Sequence, residues 1–70
     1  MSLNVLDAMT RREKQILALV TDGKSNKEIA RILGIAMHTV EKHLDNIYKK
    51  LNVNNRTAAA KIYTRYNLEE

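Results

Sequence analysis

The sequence predicts an all-α fold, a four-helix domain with a helix-turn-helix formed by its second and third helices. The 70-residue chain has no proline and only two glycines, whereas sandwiches and barrels need frequent turn residues. Apolar residues recur at helical spacing over most of the chain, and the glycines and an asparagine-rich segment divide that pattern into four parts. A chain this short forms one domain, predicted to extend over residues 9–67.

The composition narrows the class of partner. Twelve Lys and Arg against eight Asp and Glu give a net charge of +4, which is large for so small a surface. Such a charge favours a polyanion: DNA, RNA or an acidic membrane surface. The absence of cysteine excludes disulfides, thiolate metal sites and cysteine nucleophiles. No apolar run approaches the roughly 18 residues of a spanning helix, and no signal peptide is evident, so a cytoplasmic location is predicted.

The first helix is predicted to begin at a capping box. Residues 1–8 have no clear periodicity and are interpreted as a frayed lead-in or linker remnant. In the box Thr10–Glu13, the threonine hydroxyl can cap a first-turn amide while the glutamate reaches back. The apolar stripe that follows comprises Ile16, Leu17, Leu19 and Val20. Asp22-Gly23 ends this helix, because glycine accepts the left-handed conformation without strain.

The second helix repeats this design over about nine residues. It begins at the capping box Ser25–Glu28 and ends at Gly34. Its apolar residues are Ile29, Ala30, Ile32 and Leu33. Residues 35–37 form a short connection to the next helix.

The third helix is predicted from His38 to about Leu51, with two distinct faces. Its apolar residues, at offsets of 0, 4, 7 and 11, are Val40, Leu44, Ile47 and Leu51. Its polar face consists of His38, Glu41, Lys42, Asp45 and Lys49. Residues 52–55 include three asparagines and predict a turn. A fourth helix begins near Arg56 or Thr57.

A short helix, a brief turn with glycine and a longer helix are typical of a helix-turn-helix. In that motif the second helix enters the DNA major groove, so it needs an apolar face for the core and a polar face for base edges. The third helix offers both. The same spacing also fits a solvated face on a plain helical bundle, so spacing alone leaves both interpretations open.

Four linked motifs resemble the LuxR/NarL/FixJ-type DNA-binding domain. They follow in order and without gaps from Met9 to Ile62, and they are Thr10–Glu13, Ser25–Ala30, Thr39–Ile47 and Lys50–Ala59. The resemblance implies that the helix-turn-helix lies at about residues 26–45. It also implies sequence-specific binding of double-stranded DNA by the output domain of a transcriptional regulator, as a homodimer through the last helix.

The resemblance also implies roles for individual residues. It places phosphate contacts at Ser25, Asn26, Lys27, Thr39, Asn55 and Arg56, and charge adds Lys49 as a further candidate. A helix N-terminus does offer free amides and a positive dipole end to a phosphate. The candidates for reading bases are His38, Glu41, Lys42 and Asp45.

Three positions depart from the family pattern. Glu41 stands where the family frequently has lysine, and Asp45 adds a second negative charge. A carboxylate can accept a hydrogen bond from the cytosine amino group, although Glu41 could instead orient Lys42, Lys49 or His38. Ala36 stands where family members often have a serine cap, at a typical cost of ~1 kcal/mol.

Two questions stay open from the residues alone. The last helix presents Ala59, Ile62, Tyr63 and Tyr66 on one side, which can be core or a dimer seam. The whole domain could also be a four-helix protein-interaction module that binds an acidic partner.

Glu13 and Glu28 are interpreted as helix-capping acids, and His38 and His43 are poorly spaced for one metal. No enzymatic activity, metal, cofactor or small-molecule ligand is therefore predicted.

Overall fold

The structure, a computed structural model, describes residues 4–67 and confirms the all-α class. This part of the chain contains no strand. It forms a short 3-10 helix and four α-helices, which are η1 (Val5–Ala8), α1 (Arg11–Thr21), α2 (Asn26–Leu33), α3 (Met37–Leu51) and α4 (Arg56–Asn67).

Both predicted capping boxes are present and fix the first residues of α1 and α2. The Glu13 amide donates to Thr10 Oγ1 at 3.1 Å, and the Thr10 amide donates to Glu13 Oε1 at 2.9 Å. The corresponding distances at Ser25 and Glu28 are 3.1 Å and 2.8 Å. Each box therefore satisfies two amides that a helix start would leave without a partner.

Left-handed residues end α2 and α3. Gly34 has φ +68° and its amide donates to the Ala30 carbonyl, so α2 stops after eight residues. Only Gly34–Ala36 separate α2 from α3, and a side chain at position 34 would be strained in this conformation. Asn52 ends α3 with φ +57°, a conformation that asparagine tolerates better than most residues.

One side of each helix builds a shared core. Helix α1 packs against α3 and α4, and α2 packs against α3. The buried apolar residues are Leu6, Met9, Ile16, Leu17, Val20, Ile29, Val40, Leu44, Ile47, Leu51 and Ala59. All four residues of the predicted α3 stripe are among them. Ile32, one of the apolar residues of the predicted second helix, lies outside this core and is 54% exposed.

The segment before α1 is part of the fold, so its interpretation as a frayed lead-in is wrong for residues 4–8. Leu6 is only 2% exposed and Met9 only 6%. Asn4 Oδ1 accepts from the Leu6 amide at 2.9 Å, and Asn4 Nδ2 donates to the Tyr66 carbonyl at 3.0 Å. A single 3-10 turn is too short to produce a helical repeat, which is why periodicity gave no signal. Residues 1–3 of that segment lie outside the described residues.

The candidate dimer seam on α4 is divided between core and surface. Ala59 is completely buried, so it cannot contact a second copy, and its place in the seam is wrong. Ile62, Tyr63 and Tyr66 are half-buried and pack against the core while keeping part of their surface exposed. The core alternative therefore holds for Ala59 and in part for the other three residues, and a dimer seam formed by their exposed surface stays a prediction.

An ion pair between the buried Glu13 and the partly exposed Lys50 joins α1 to the end of α3. Glu13 is 4% exposed, and its Oε1 accepts from Lys50 Nζ at 2.7 Å as well as from the Thr10 amide. Burial alone would raise the pKa of Glu13, but the hydrogen bonds from Lys50 and Thr10 outweigh it and hold this pKa below its ordinary value. Glu13 thus has a tertiary role that its capping box does not reveal.

Leu6→Ala should destabilise the domain by about 2–5 kcal/mol, because it removes a buried side chain and leaves a cavity. The measurement is the free energy of unfolding from urea titration followed by circular dichroism. Val5→Ala is the matched control, since Val5 precedes Leu6 in the chain and its side chain is 38% exposed. Equal effects of the two substitutions would show that the segment before α1 does not belong to the core.

Glu13→Gln should flatten the dependence of stability on pH in acid. The lowered pKa means that the stabilisation is fully present above the ordinary value of 4.5 and is lost as the pH falls through the folded-state pKa. Thermal midpoints measured between pH 7 and pH 3 should therefore fall less steeply in the variant. Lys50→Gln should flatten the same curve, and the double substitution should add little. A wild-type acid slope in Lys50→Gln would assign the effect to the capping box alone.

Candidate nucleic-acid interface

The first turn of α2 carries three of the predicted phosphate contacts. The Ser25 hydroxyl is engaged in the cap, Asn26 is half-buried and Lys27 is exposed. The amides of Asn26 and Lys27 precede the intrahelical bonds and have no acceptor among the described residues. The start of α2 thus offers two backbone donors, a cationic side chain and the positive end of the helix dipole.

Glu28 lowers the positive charge at this helix start. The Ser25 amide donates to this exposed carboxylate, and together with the Ser25 hydroxyl it holds the pKa of Glu28 below its ordinary value. Glu28 therefore stays ionised beside the donors. Any anion bound there must rely on the outward-directed amides and on Lys27.

The polar face of α3 is exposed, as predicted. At about 100° per residue, four of its side chains fall within an arc of about 60°, on the side of the helix away from the buried stripe. These four are His38, Lys42, Asp45 and Lys49. Glu41 is exposed too, but it lies about 40° beyond one edge of this arc, and Thr39, half-buried, lies about 60° beyond the other. We call the four residues the α3 arc.

The start of α3 lacks a side-chain cap. Ala36 has φ −71° and ψ 150°, close to the values at Thr10 and Ser25, but it has no side chain that can accept a hydrogen bond. The first turn of α3 is held instead by the Ala36 carbonyl, which accepts from the amides of Thr39 and Val40. The predicted cost of ~1 kcal/mol relative to a serine cap is consistent with this geometry.

Asn55 and Arg56 are engaged within the domain. Asn55 Oδ1 accepts from the Ala58 amide at 2.8 Å and so caps α4, while its Nδ2 donates to Asn54 at 3.1 Å. Arg56 Nη1 donates to Asn26 Oδ1 at 2.7 Å, and its Nη2 donates to the Lys24 carbonyl. The sequence did not indicate these bonds of Arg56, because its partners lie 30 and 32 residues away.

Two apolar side chains and one groove complete the surface. Ile32 and Met37 are 54% and 49% exposed on either side of the α2–α3 turn, although isolated apolar residues on a surface indicate no partner by themselves. An open groove between η1 and α4 is lined by Val5, Leu51, Lys61, Ile62, Arg65 and Tyr66.

Within residues 4–67, no helix is long and apolar enough to cross a membrane, and no three metal-ligating side chains cluster.

Comparison with known proteins shows similarity to bacterial regulatory proteins over most of the chain. The profile of the bacterial regulatory proteins of the luxR family matches residues 7–63. The uncharacterized transcriptional regulatory protein YhcZ of Bacillus subtilis is 50% identical over 60 residues, which cover 86% of this chain and 28% of that protein. LiaR of Bacillus subtilis, a transcriptional regulatory protein, is 46% identical over 61 residues, which cover 87% and 28%. The transcriptional regulatory protein DegU of Brevibacillus brevis is 50% identical over 54 residues, covering 77% and 23%.

Proposed function

Because the chain belongs to the luxR family of bacterial regulatory proteins, we propose that it binds double-stranded DNA sequence-specifically as the output domain of a transcriptional regulator. The chain spans less than a third of the length of the relatives it matches. The regulatory activity of a whole protein therefore belongs to the proposal. So does a cytoplasmic location, where such a regulator meets its DNA.

The observation that carries the proposal is that α3, with its exposed polar arc, packs against and directly follows a helix whose start has unpaired donors. Helix α3 turns its apolar stripe into the core and leaves the α3 arc exposed, and a three-residue turn joins it to α2. A phosphate at the start of α2 would be bound by the amides of Asn26 and Lys27 and by the Lys27 ammonium. Such contacts position a protein on the duplex, while the exposed face of α3 enters the major groove.

Base reading then depends on side chains with different hydrogen-bonding capacity. Lys42 can donate to the acceptors of guanine, and Asp45 can accept from the cytosine amino group. His38 can do either, according to its protonation. Glu41 lies at the edge of the face and reaches bases only if its side chain extends toward the α3 arc. Both carboxylates also weaken nonspecific attraction, because they meet phosphates of like charge.

Dimerisation through α4 is a further part of the proposal. Ile62 and Tyr66 line the groove between η1 and α4. Their exposed parts, together with that of Tyr63, offer apolar surface for a second copy. Two copies related by a two-fold axis would read two half-sites about one helical turn apart. A protein-interaction module that binds an acidic partner is the competing function, and its surface would need no defined DNA sequence.

Selection from random duplexes tests the function and the assembly together. The proposal expects one enriched half-site, repeated with two-fold symmetry, and a logarithmic affinity that falls linearly with the logarithm of salt concentration. Enrichment of a single unpaired half-site would contradict the dimer. Equal affinity for selected and random duplexes would contradict sequence-specific binding and favour the protein-interaction module.

Lys27→Ala should weaken binding to the selected and the random duplex by a similar factor, because a phosphate contact carries no sequence information. The slope of log affinity against log salt should decrease in magnitude by about 0.9, the value for one phosphate contact. Arg11→Ala removes the same charge from an exposed position of α1 and is the control, with an expected slope close to that of the wild type. A loss confined to one base pair would assign Lys27 to base reading instead.

Glu41→Gln and Glu41→Lys separate base reading from charge tuning. If Glu41 accepts from a cytosine, Glu41→Gln should cost on the order of 1–3 kcal/mol of discrimination at one base pair. Glu41→Lys should raise affinity for random duplex and shift preference toward guanine at that position. Affinities for all single-base variants of the selected site, at fixed salt, measure both effects. An unchanged preference at every position would leave reading to the α3 arc.

A further inference from the structure

We propose that Arg56 is a positioning residue, which orients the side-chain amide of Asn26 so that this amide donates to a DNA phosphate. The inference rests on the proposed function. It assigns Arg56 a role that differs from its own predicted phosphate contact, because the residue is half-buried and its guanidinium donates to two groups of the protein.

The bonds of Arg56 join the start of α4 to both sides of the α2 cap. Nη1 donates to Asn26 Oδ1 at 2.7 Å, and Nη2 of the same planar group donates to the Lys24 carbonyl. Lys24 precedes the N-cap Ser25, and Asn26 follows it. A guanidinium presents its donors in a fixed fork, so these two acceptors are held in one relative position. Lysine has a single nitrogen and cannot reproduce this arrangement.

The chemistry of arginine determines which end of the Asn26 amide faces outward. Arginine has donors and no acceptor, so the atom that faces it must be the amide oxygen. The nitrogen Nδ2 is therefore directed to the other side, and no acceptor for it lies among the described residues. In the opposite orientation, the carbonyl oxygen would face a phosphate and repel it. Arg56 thus makes Asn26 a donor at a helix start that already favours anions.

The side-chain amide of Asn26 lies at the start of α2, where a hydrogen-bond donor favours the binding of a phosphate. Asn26 is the first residue of α2, next to the unpaired amides of Asn26 and Lys27. A fixed neutral donor there needs no ordering when DNA binds, whereas a free asparagine side chain would lose rotamer freedom on binding. The contribution of Arg56 is therefore indirect and passes through Asn26.

The experiment compares Arg56→Lys, Asn26→Ala and the double substitution in binding to the selected duplex. Arg56→Lys keeps the charge, so its salt slope should equal that of the wild type, while its affinity falls about tenfold, as expected for one hydrogen bond to a charged group. Asn26→Ala should lose a similar factor, and the double variant should bind no more weakly than either single one. Arg11→Lys, the same change at an exposed position of α1, should stay within about twofold of the wild type. All affinities are measured well below each thermal midpoint.

A second measurement needs no DNA. Nitrogen-15 relaxation of the Asn26 side-chain amide in the free protein should show an ordered group in the wild type and a mobile one in Arg56→Lys. Wild-type affinity in Arg56→Lys, losses that multiply in the double variant, or an unchanged amide order would each overturn the proposal. Failure of the wild type to bind any duplex would overturn the proposed function instead, and the amide order would still decide whether Arg56 holds Asn26.

Discussion

The burial of one side of α3 is the constraint on which the rest of this domain depends. Val40, Leu44, Ile47 and Leu51 are all less than 10% exposed, and α3 packs against η1, α1, α2 and α4. Each such side chain contributes about 1.5–3 kcal/mol when fully buried. Rotating α3 by one residue, about 100°, would replace part of this stripe with charged groups. The core therefore fixes the direction in which the α3 arc is exposed.

The features predicted correctly from the sequence are those whose cause lies within one or two helical turns. A capping box needs two side chains three residues apart, and both boxes form at the residues predicted from the sequence. The α3 stripe repeats once per turn over about three turns. Gly34 and Asn52 adopt the left-handed conformations that their residue types favour. The 3-10 helix Val5–Ala8 was not predicted, because a single turn is too short for apolar residues to recur at a regular spacing. Leu6 is nevertheless as deeply buried as the core residues of the α-helices.

The parts of the site that could not be predicted depend on contacts between distant residues. Glu13 and Glu28 occupy the same position in the same motif, yet one is buried against Lys50, 37 residues away, and the other is exposed. Nothing within either motif distinguishes them. In the same way, Arg56 looks like a free cation at a helix start until the fold brings it to Asn26. Residue type gave the chemistry of these groups, but only the packing shows which partner each one has.

The mixture of lysines and carboxylates on the exposed face of α3 affects the expected ratio of specific to nonspecific affinity for DNA. The α3 arc includes Lys42, Lys49 and Asp45, with Glu41 at its edge, so carboxylates offset much of its positive charge. Mobile cations bind every duplex through counterion release, and that attraction weakens steeply with salt. In the proposed binding mode, neutral donors such as the α2 amides and the Asn26 side chain would contact phosphates without releasing counterions. A surface built in this way gives up part of its nonspecific affinity. Because a regulator must find its site among a large excess of other DNA, the ratio of specific to nonspecific affinity matters more than either value alone.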